Sequence, residues 1–158
     1  MRNGEEPVLF GGKRGGEWGF LSNFFSSRIE VDGRVYATVE HYYQACKAVT
    51  ETEHKMIQEA RSPGKAKQMG RRLPQIDPKW ETVKTDVMKK ALLAKFRQHG
   101  ALRRALLTSG DRAIHEDARY DMEWGWGRGK GKDLLGKLLV QVRQIIAEEF
   151  PKDAERCR

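Results

Sequence analysis

Two polar-aromatic clusters about 80 residues apart carry the side chains most capable of chemistry: Thr38-Val39-Glu40-His41-Tyr42-Tyr43-Gln44-Ala45-Cys46-Lys47 and Asp121-Met122-Glu123-Trp124-Gly125-Trp126-Gly127. A carboxylate, an amine and flat indole rings suit a pocket that grips a sugar joined to a flat heterocycle and breaks the bond between them. At about 100° per residue, Glu40, Gln44 and Lys47 fall within a narrow polar stripe beside the apolar arc of Val39, Tyr42, Tyr43 and Cys46. A carboxylate stacked against an amide and an amine is equipped to stabilise an oxocarbenium-like centre or to activate water. The stripe has a plainer reading too. Acidic residues are favoured in a first helical turn by the dipole alone, and Glu and Lys seven apart are commonly solvated surface.

In the second cluster Trp124 and Trp126 supply π-faces, Gly125, Gly127, Gly129 and Gly131 remove side chains, and Arg128, Lys130 and Lys132 offer charge. The segment then enters a helix N-terminus near Asp133, a natural seat for phosphate. A glycine-rich turn whose tryptophans plug the core explains the same composition. The glycine spacing is not a dinucleotide fingerprint, because no strand precedes it. Residues 16–25, with Phe20, Ser22 and Asn23, read either as a pocket wall or as an apolar plug. His41, His54, His99 and His115 lack metal-ligand spacing, so no metal and no cofactor are expected.

The elements that must position these residues are legible as local signals. Val8-Leu9-Phe10 reads as a short strand entering a charged loop over residues 11–19. Asp32-Gly33, flanked by Arg28-Ile29-Glu30-Val31 and Arg34-Val35-Tyr36, predicts a two-residue type I′ hairpin. Thr38 caps a helix expected over residues 39–49. Ser62-Pro63 starts a short helix ending at Gly70, and Asp77-Pro78 starts a longer one through Phe96, with Trp80, Val83, Val87, Ala91 and Ala94 inward and Met88, Leu92 and Phe96 widening that face. Another helix covers residues 101–107. The last begins near Asp133, a cap whose charge suits the dipole, and buries Leu134, Leu135, Leu138, Leu139, Val142, Ile145 and Ile146 before Phe150.

With 158 residues the chain is sized for one domain, expected over residues 1–150, with residues 151–158 a frayed charged tail. Thirty basic against 22 acidic residues give a net charge of +8 and a pI near 9.6. That favours anionic partners such as nucleotides, sugar phosphates or nucleic acid, unless the lysines and arginines simply form a hydrated face. Two cysteines, Cys46 and Cys157, make a disulfide framework unlikely to be the organising device, and a reducing, cytoplasmic setting is expected. The first residues lack an apolar signal region, and no apolar run approaches the ~20 residues of a membrane span.

Ordered motifs run from about Phe10 to Arg143. They are Gly19-Phe20-Leu21-Ser22-Asn23-Phe24, Thr38 to Lys47, Met69-Gly70-Arg71, Trp80 with Val83-Lys84 and Val87-Met88, Lys95-Phe96, Asp121 with Trp124-Gly125, and Gly129-x-Gly131-Lys132 followed by Leu135-Gly136 and Leu138-Leu139. Together they resemble the NADAR family. The resemblance implies an α+β, predominantly helical single domain with a small N-terminal antiparallel hairpin, and an N-glycosidase that hydrolyses a ribose C1–N bond. It implies two substrate groups: phosphorylated ribosylamino-pyrimidine intermediates of riboflavin biosynthesis, and ADP-ribose on guanine of nucleic acid. Carried onto matching positions, the resemblance makes Glu40, Trp80, Asp121 and Trp124 catalytic-site candidates and Lys47 a candidate amine nucleophile toward ribose C1, the alternative being an ammonium that only binds phosphate or Glu40. Glu40 would stabilise developing charge, Asp121 orient a hydroxyl or water, and Trp124 pack on the leaving base. Trp80, Phe20, Asn23, Gln44, Gly125, Gly127 and Lys132 are the substrate-binding candidates. Two departures stand out: Gly131-Lys132-Asp133 replaces the usual Gly-Lys-Asn, and Trp126 lies between Gly125 and Gly127. A non-catalytic module recognising ADP-ribose or nucleic acid is the competing class, with plain nucleic-acid binding through basic helices behind it.

Overall fold

In the computed structural model, which describes residues 5–12 and 15–157, the chain is α+β and divides into two compact units. The opening residues 1–4, Lys13 and Arg14 of the expected loop, and Arg158 of the tail lie outside the described residues.

The unit Asn23–Gln98 opens with a hairpin of β1 (Ile29–Val31) and β2 (Arg34–Tyr36), paired antiparallel with Ile29 opposite Tyr36. Asp32 and Gly33 at its tip have φ of 52° and 77°, the left-handed pair that a type I′ turn demands. Four helices follow: α1 (Val39–Ala45), α2 (Glu51–Gln58), α3 (Pro63–Arg71) and α4 (Trp80–Gln98). Thr38 caps α1 as expected, its hydroxyl accepting from the His41 N–H. The helix stops at Ala45 instead of continuing to 49. Lys47 and Ala48 are drawn into irregular pairing, with the Asp77 N–H donating to the Lys47 carbonyl at 2.9 Å and Ala48 bridging Ile76. The freed chain restarts as α2, capped by Thr50, a helix whose lone buried residue, Ile57, leaves little periodic signal. His41 is a framework residue: its Nε2 donates to the Ala60 carbonyl at 2.8 Å and its Nδ1 lies 2.8 Å from the Thr38 hydroxyl. At the far end the Gln98 amide closes α4 onto the hairpin edge, accepting from the Glu30 N–H and donating to its carbonyl, both at 2.8 Å.

The inward face of α4 is rotated by about one residue from the expected one. Trp80, Lys84, Met88, Ala91, Leu92, Lys95 and Phe96 are buried, while Val83, Val87 and Ala94 are half-buried. Lys84 and Lys95 take inward positions that the expected apolar stripe did not include. Lys95 is fully buried, its amine 5.5 Å from the ring centroids of Phe25 and Phe96, and burial pulls its pKa down to about 7. Since the unfolded lysine keeps the ordinary 10.5, the unfolded chain binds the extra proton above pH 7, and the fold gains stability as pH rises through that window. Urea unfolding at pH 7 and pH 9 should therefore show wild type gaining about 1–3 kcal/mol relative to Lys95→Met. A difference that does not change with pH would contradict a buried titrating amine.

The other unit, Met1–Ser22 with His99–Arg158, pairs β3 (Val8–Phe10) parallel to β4 (Ile114–Glu116), Val8 facing Ile114. Helices α5 (Gly100–Leu107), α6 (Leu134–Glu149) and α7 (Pro151–Arg156) complete it. Leu135, Leu138, Leu139, Val142 and Ile146 of α6 are buried with Val8, Phe10, Leu106 and Ile114, whereas the expected inward Leu134 and Ile145 are half-buried. Gly136 allows the close approach of α6 to β4, since a Cβ there would lie 3.0 Å from the Ile114 carbonyl carbon. Arg143 is buried at the same face and donates to the Ser109 hydroxyl and the Arg112 carbonyl at 2.9 and 2.8 Å. The tail is α7 rather than a frayed end: Pro151 starts it, Arg103 pairs with Asp153 at 2.8 Å, and the same guanidinium stacks 3.8 Å from the Phe150 ring centroid.

Candidate active site

The seven residues of α1 are all buried, so its polar stripe is not a solvated surface. Glu40 is 6% exposed and Gln44 3%, and the Gln44 amide donates to Glu40 Oε1 at 2.7 Å. The Glu40 N–H donates to the Asn23 carbonyl at 3.1 Å, which fixes the start of α1 against residue 23. A buried carboxylate is expensive unless it is hydrogen-bonded, and this one is held in a single orientation.

Lys47, two residues past the end of α1, is half-buried. Its amine lies 5.3 Å from the Tyr43 ring centroid and 5.8 Å from that of Trp80, two rings whose own centroids are 5.0 Å apart. Burial lowers the Lys47 pKa; the Glu40 carboxylate opposes this, while Arg71, Lys67 and Lys84 push the same way as burial. Trp80 is 4% exposed, and its ring faces the Lys47 amine.

Lys84 is the residue that sequence reasoning assigned no role. It is 8% exposed, forms a 2.5 Å ion pair with Glu81, and acts electrostatically on Lys47. Its signal was its phase, four residues after Trp80 on the same side of α4. Lys67 and Arg71, four apart on α3, bring two further cations toward Lys47. Two buried carbonyl oxygens, Asn23 Oδ1 and Gln44 Oε1, have no hydrogen-bond partner among the described residues, the second lying against Gly70 of α3. A buried acceptor such as Asn23 Oδ1 suits the hydroxyl donor of a sugar.

Gly70 makes the placement of Gln44 feasible. A Cβ at residue 70 would lie 2.9 Å from Gln44 Cδ and 3.1 Å from its Cβ, so α3 leaves no room for a side chain there. Gly70→Ala should push the Gln44 amide off Glu40, cutting kcat/KM roughly tenfold with about 1–3 kcal/mol of overpacking cost. Steady-state kinetics beside thermal melts check this; unchanged kinetics would mean that Gln44 does not position Glu40.

In the other unit, residues 121–133 fold back on themselves. Asp121 Oδ1 accepts from the Glu123 and Trp124 N–H groups at 3.1 and 2.8 Å, an Asx turn that sets the loop. Trp124 is 8% exposed, and Phe20, on a 3-10 turn over Gly19–Leu21, is equally buried. A Cβ at Gly125 would meet Ala118 Cβ at 2.8 Å, and at Gly127, whose φ is 55°, it would meet the Met122 sulfur at 2.8 Å. These glycines are required by the loop's own packing. Lys132 is exposed, its carbonyl accepting from the Lys137 amine at 2.8 Å.

The expected phosphate seat at the start of α6 is filled by the protein. The N–H groups of Asp133, Leu134 and Leu135 donate to the carbonyls of Gly125, Glu123 and Trp124 at 3.1, 3.2 and 3.1 Å. Donors already paired to carbonyls are not offered to an anion. Asp133 does not cap α6 with its side chain either. It sits in the left-handed region at φ 55°, and its Oδ2 lies 2.6 Å from His115 Nδ1, with the His115 ring stacked on Trp126 at 4.7 Å. The two departures noted in the sequence, Asp133 and Trp126, therefore meet on one histidine.

Residues 9–147 match the NADAR domain. The chain is 43% identical over 135 residues to N-glycosidase YbiA of Escherichia coli K12, covering 84% of each protein. It is 36% identical over 155 residues to the chloroplastic riboflavin biosynthesis protein PYRR of Zea mays, covering 87% of this chain and 25% of that one. The NMR structure of E. coli YbiA superimposes with a TM-score of 0.82 at 38% identity, covering 94% of this chain and 90% of that one. A match that runs through α1, α4 and the 121–133 loop alike makes this chain a member of the NADAR domain family.

Proposed function

We propose that this N-glycosidase hydrolyses the ribose C1–N bond of a phosphorylated riboside. The observation that carries the reading is the buried Glu40 carboxylate, tied to Gln44 and acting electrostatically on a half-buried Lys47 just past the end of α1, whose pKa is lowered by burial and whose amine lies beside Tyr43 and Trp80. The surrounding cations, Lys67, Arg71 and Lys84, match a phosphate better than a neutral nucleoside.

The chemistry follows from those groups. The neutral Lys47 amine attacks C1, a C1–Nζ bond forms, and the C1–N bond to the base breaks with its electron pair leaving on the base, which takes up a proton. Glu40 stabilises the positive charge that develops on the sugar carbon and ring oxygen. A proton passes from Nζ to the ring oxygen as the C1–ring-oxygen bond breaks, which leaves an open-chain Schiff base, and water hydrolyses it, returning the amine and freeing the sugar. The net change is riboside plus water giving free sugar and base. Asn23 Oδ1 accepts from a ribose hydroxyl. For Asp121 and Trp124, which the 121–133 loop of the other unit holds, the family resemblance alone assigns water or hydroxyl orientation and stacking.

Mass spectrometry of reactions with a guanine-ADP-ribosylated oligonucleotide and, separately, the ribosylamino-pyrimidine phosphate tests the reading and selects the substrate. Free ADP-ribose with intact guanine from the first identifies a nucleic-acid de-ADP-ribosylating enzyme; ribose phosphate from the second identifies clearance of riboflavin intermediates. Binding of either without turnover makes the protein a recognition module and refutes the proposal.

A further inference from the structure

A cavity of about 340 Å³ opens between α2 and α3, lined by Met56, Ile57, Met69, Leu73 and Pro74 together with Glu53, Lys65, Gln68 and Arg72. That volume falls within the range of small-ligand sites. It is separate from the Glu40 cluster: on α3 the lining residues 65, 68, 69 and 72 point roughly 130° away from Lys67 and Arg71 at 100° per residue. Two features are unusual for a merely apolar crevice. Met56 is 56% exposed at its mouth. Glu53 Oε2 is shielded from solvent yet has no hydrogen-bond partner among the described residues, although the Glu53 N–H is satisfied by Thr50. An under-satisfied carboxylate in an apolar wall gains by turning about its last torsion toward a donor in the cavity.

From these groups we infer a second, nucleotide-binding site between α2 and α3, selective for a base whose edge carries a ring N–H beside an exocyclic amino group, as guanine does. The two parallel donors of such an edge match the two oxygens of one carboxylate. The methionines and Leu73 provide the apolar, polarisable surface a flat ring packs on. Lys65, whose amine donates to the Gln68 side-chain carbonyl at 3.0 Å, and Arg72 line the same cavity, which disfavours a cationic occupant and matches a phosphate. A guanine nucleotide free in solution and one within single-stranded nucleic acid present the same chemistry.

Methyl-labelled methionine NMR tests the site directly, because Met56 and Met69 line the cavity whereas Met88, within 3.6 Å of Asn23 Nδ2, reports the Glu40 neighbourhood. Titration with GMP should shift the Met56 and Met69 resonances, AMP should bind about tenfold more weakly, and Glu53→Gln should invert that preference, since a carboxamide matches the adenine edge. Lys65→Ala with Arg72→Ala should weaken GMP several-fold without altering the base preference. Tighter binding of the pentanucleotide TTGTT than of GMP would name nucleic acid as the source; tighter binding of GMP would name the free nucleotide. Shifts confined to Met88, equal affinity for GMP and AMP, an unchanged preference in Glu53→Gln, or occupancy by acetyl-arginine amide in place of GMP would overturn the inference.

Discussion

Glu40→Gln is expected to lower kcat by about 10²–10⁴-fold while the protein stays folded. Glutamine keeps the carbonyl oxygen that accepts from the Gln44 amide and keeps the volume of a residue only 6% exposed, so the packing of α1 is preserved. What is removed is the negative charge facing the developing positive charge on ribose. Substrate affinity should change far less than kcat, because the charge is needed in the transition state and not in the ground state. Single-turnover kinetics, a binding isotherm and a thermal melt separate the possibilities. Loss of affinity with retained kcat would make Glu40 a binding group; full retention of both would remove it from the site.

The second large effect concerns Lys47. Borohydride added during turnover should trap a covalent sugar adduct on Lys47, and Lys47→Arg should abolish both the adduct and turnover, a loss of more than about 10³-fold. Arginine retains the positive charge and much of the length but stays protonated and cannot attack C1. If Lys47 only bound phosphate, Lys47→Arg would keep most activity. The pH profile adds a signed check. Burial lowers the Lys47 pKa below the ordinary 10.5, so the neutral amine is available at lower pH than for an exposed lysine. Activity should rise with pH through that lowered value and level off above it. Glu40→Gln should move this limb to lower pH, because Glu40 is the group that raises the Lys47 pKa.

The parts of the fold written in local code were legible. Asp32-Gly33 specified its turn through two left-handed residues, Thr38 and Ser62-Pro63 specified helix starts, and their caps are formed as the residue types require. What escaped was set by packing. The face of α4 was misjudged because Lys84 and Lys95 are inward, and a buried amine looks like any other lysine until its neighbours are known. The early end of α1 depends on a bridge to Ile76, 28 positions after Ala48, which no window of periodicity contains. For the candidate site, the Glu40, Gln44 and Lys47 stripe was visible at helical spacing, whereas its burial and the cations on α3 and α4 were not. The phosphate seat on α6 failed for a similar reason: glycine composition before a helix does not reveal that the loop's own carbonyls turn back and occupy the donors.

The contact between Gly70 and Gln44 has a consequence for how such a chain can drift. The two positions cannot vary independently: any methyl group added on α3 must be answered by shortening the side chain on α1, and shortening it strips Glu40 of its amide partner. A lineage that keeps the chemistry is held to glycine at 70 by the needs of residue 44, 26 positions earlier in the chain, and a lineage that has lost glycine there is expected to have lost the reaction as well.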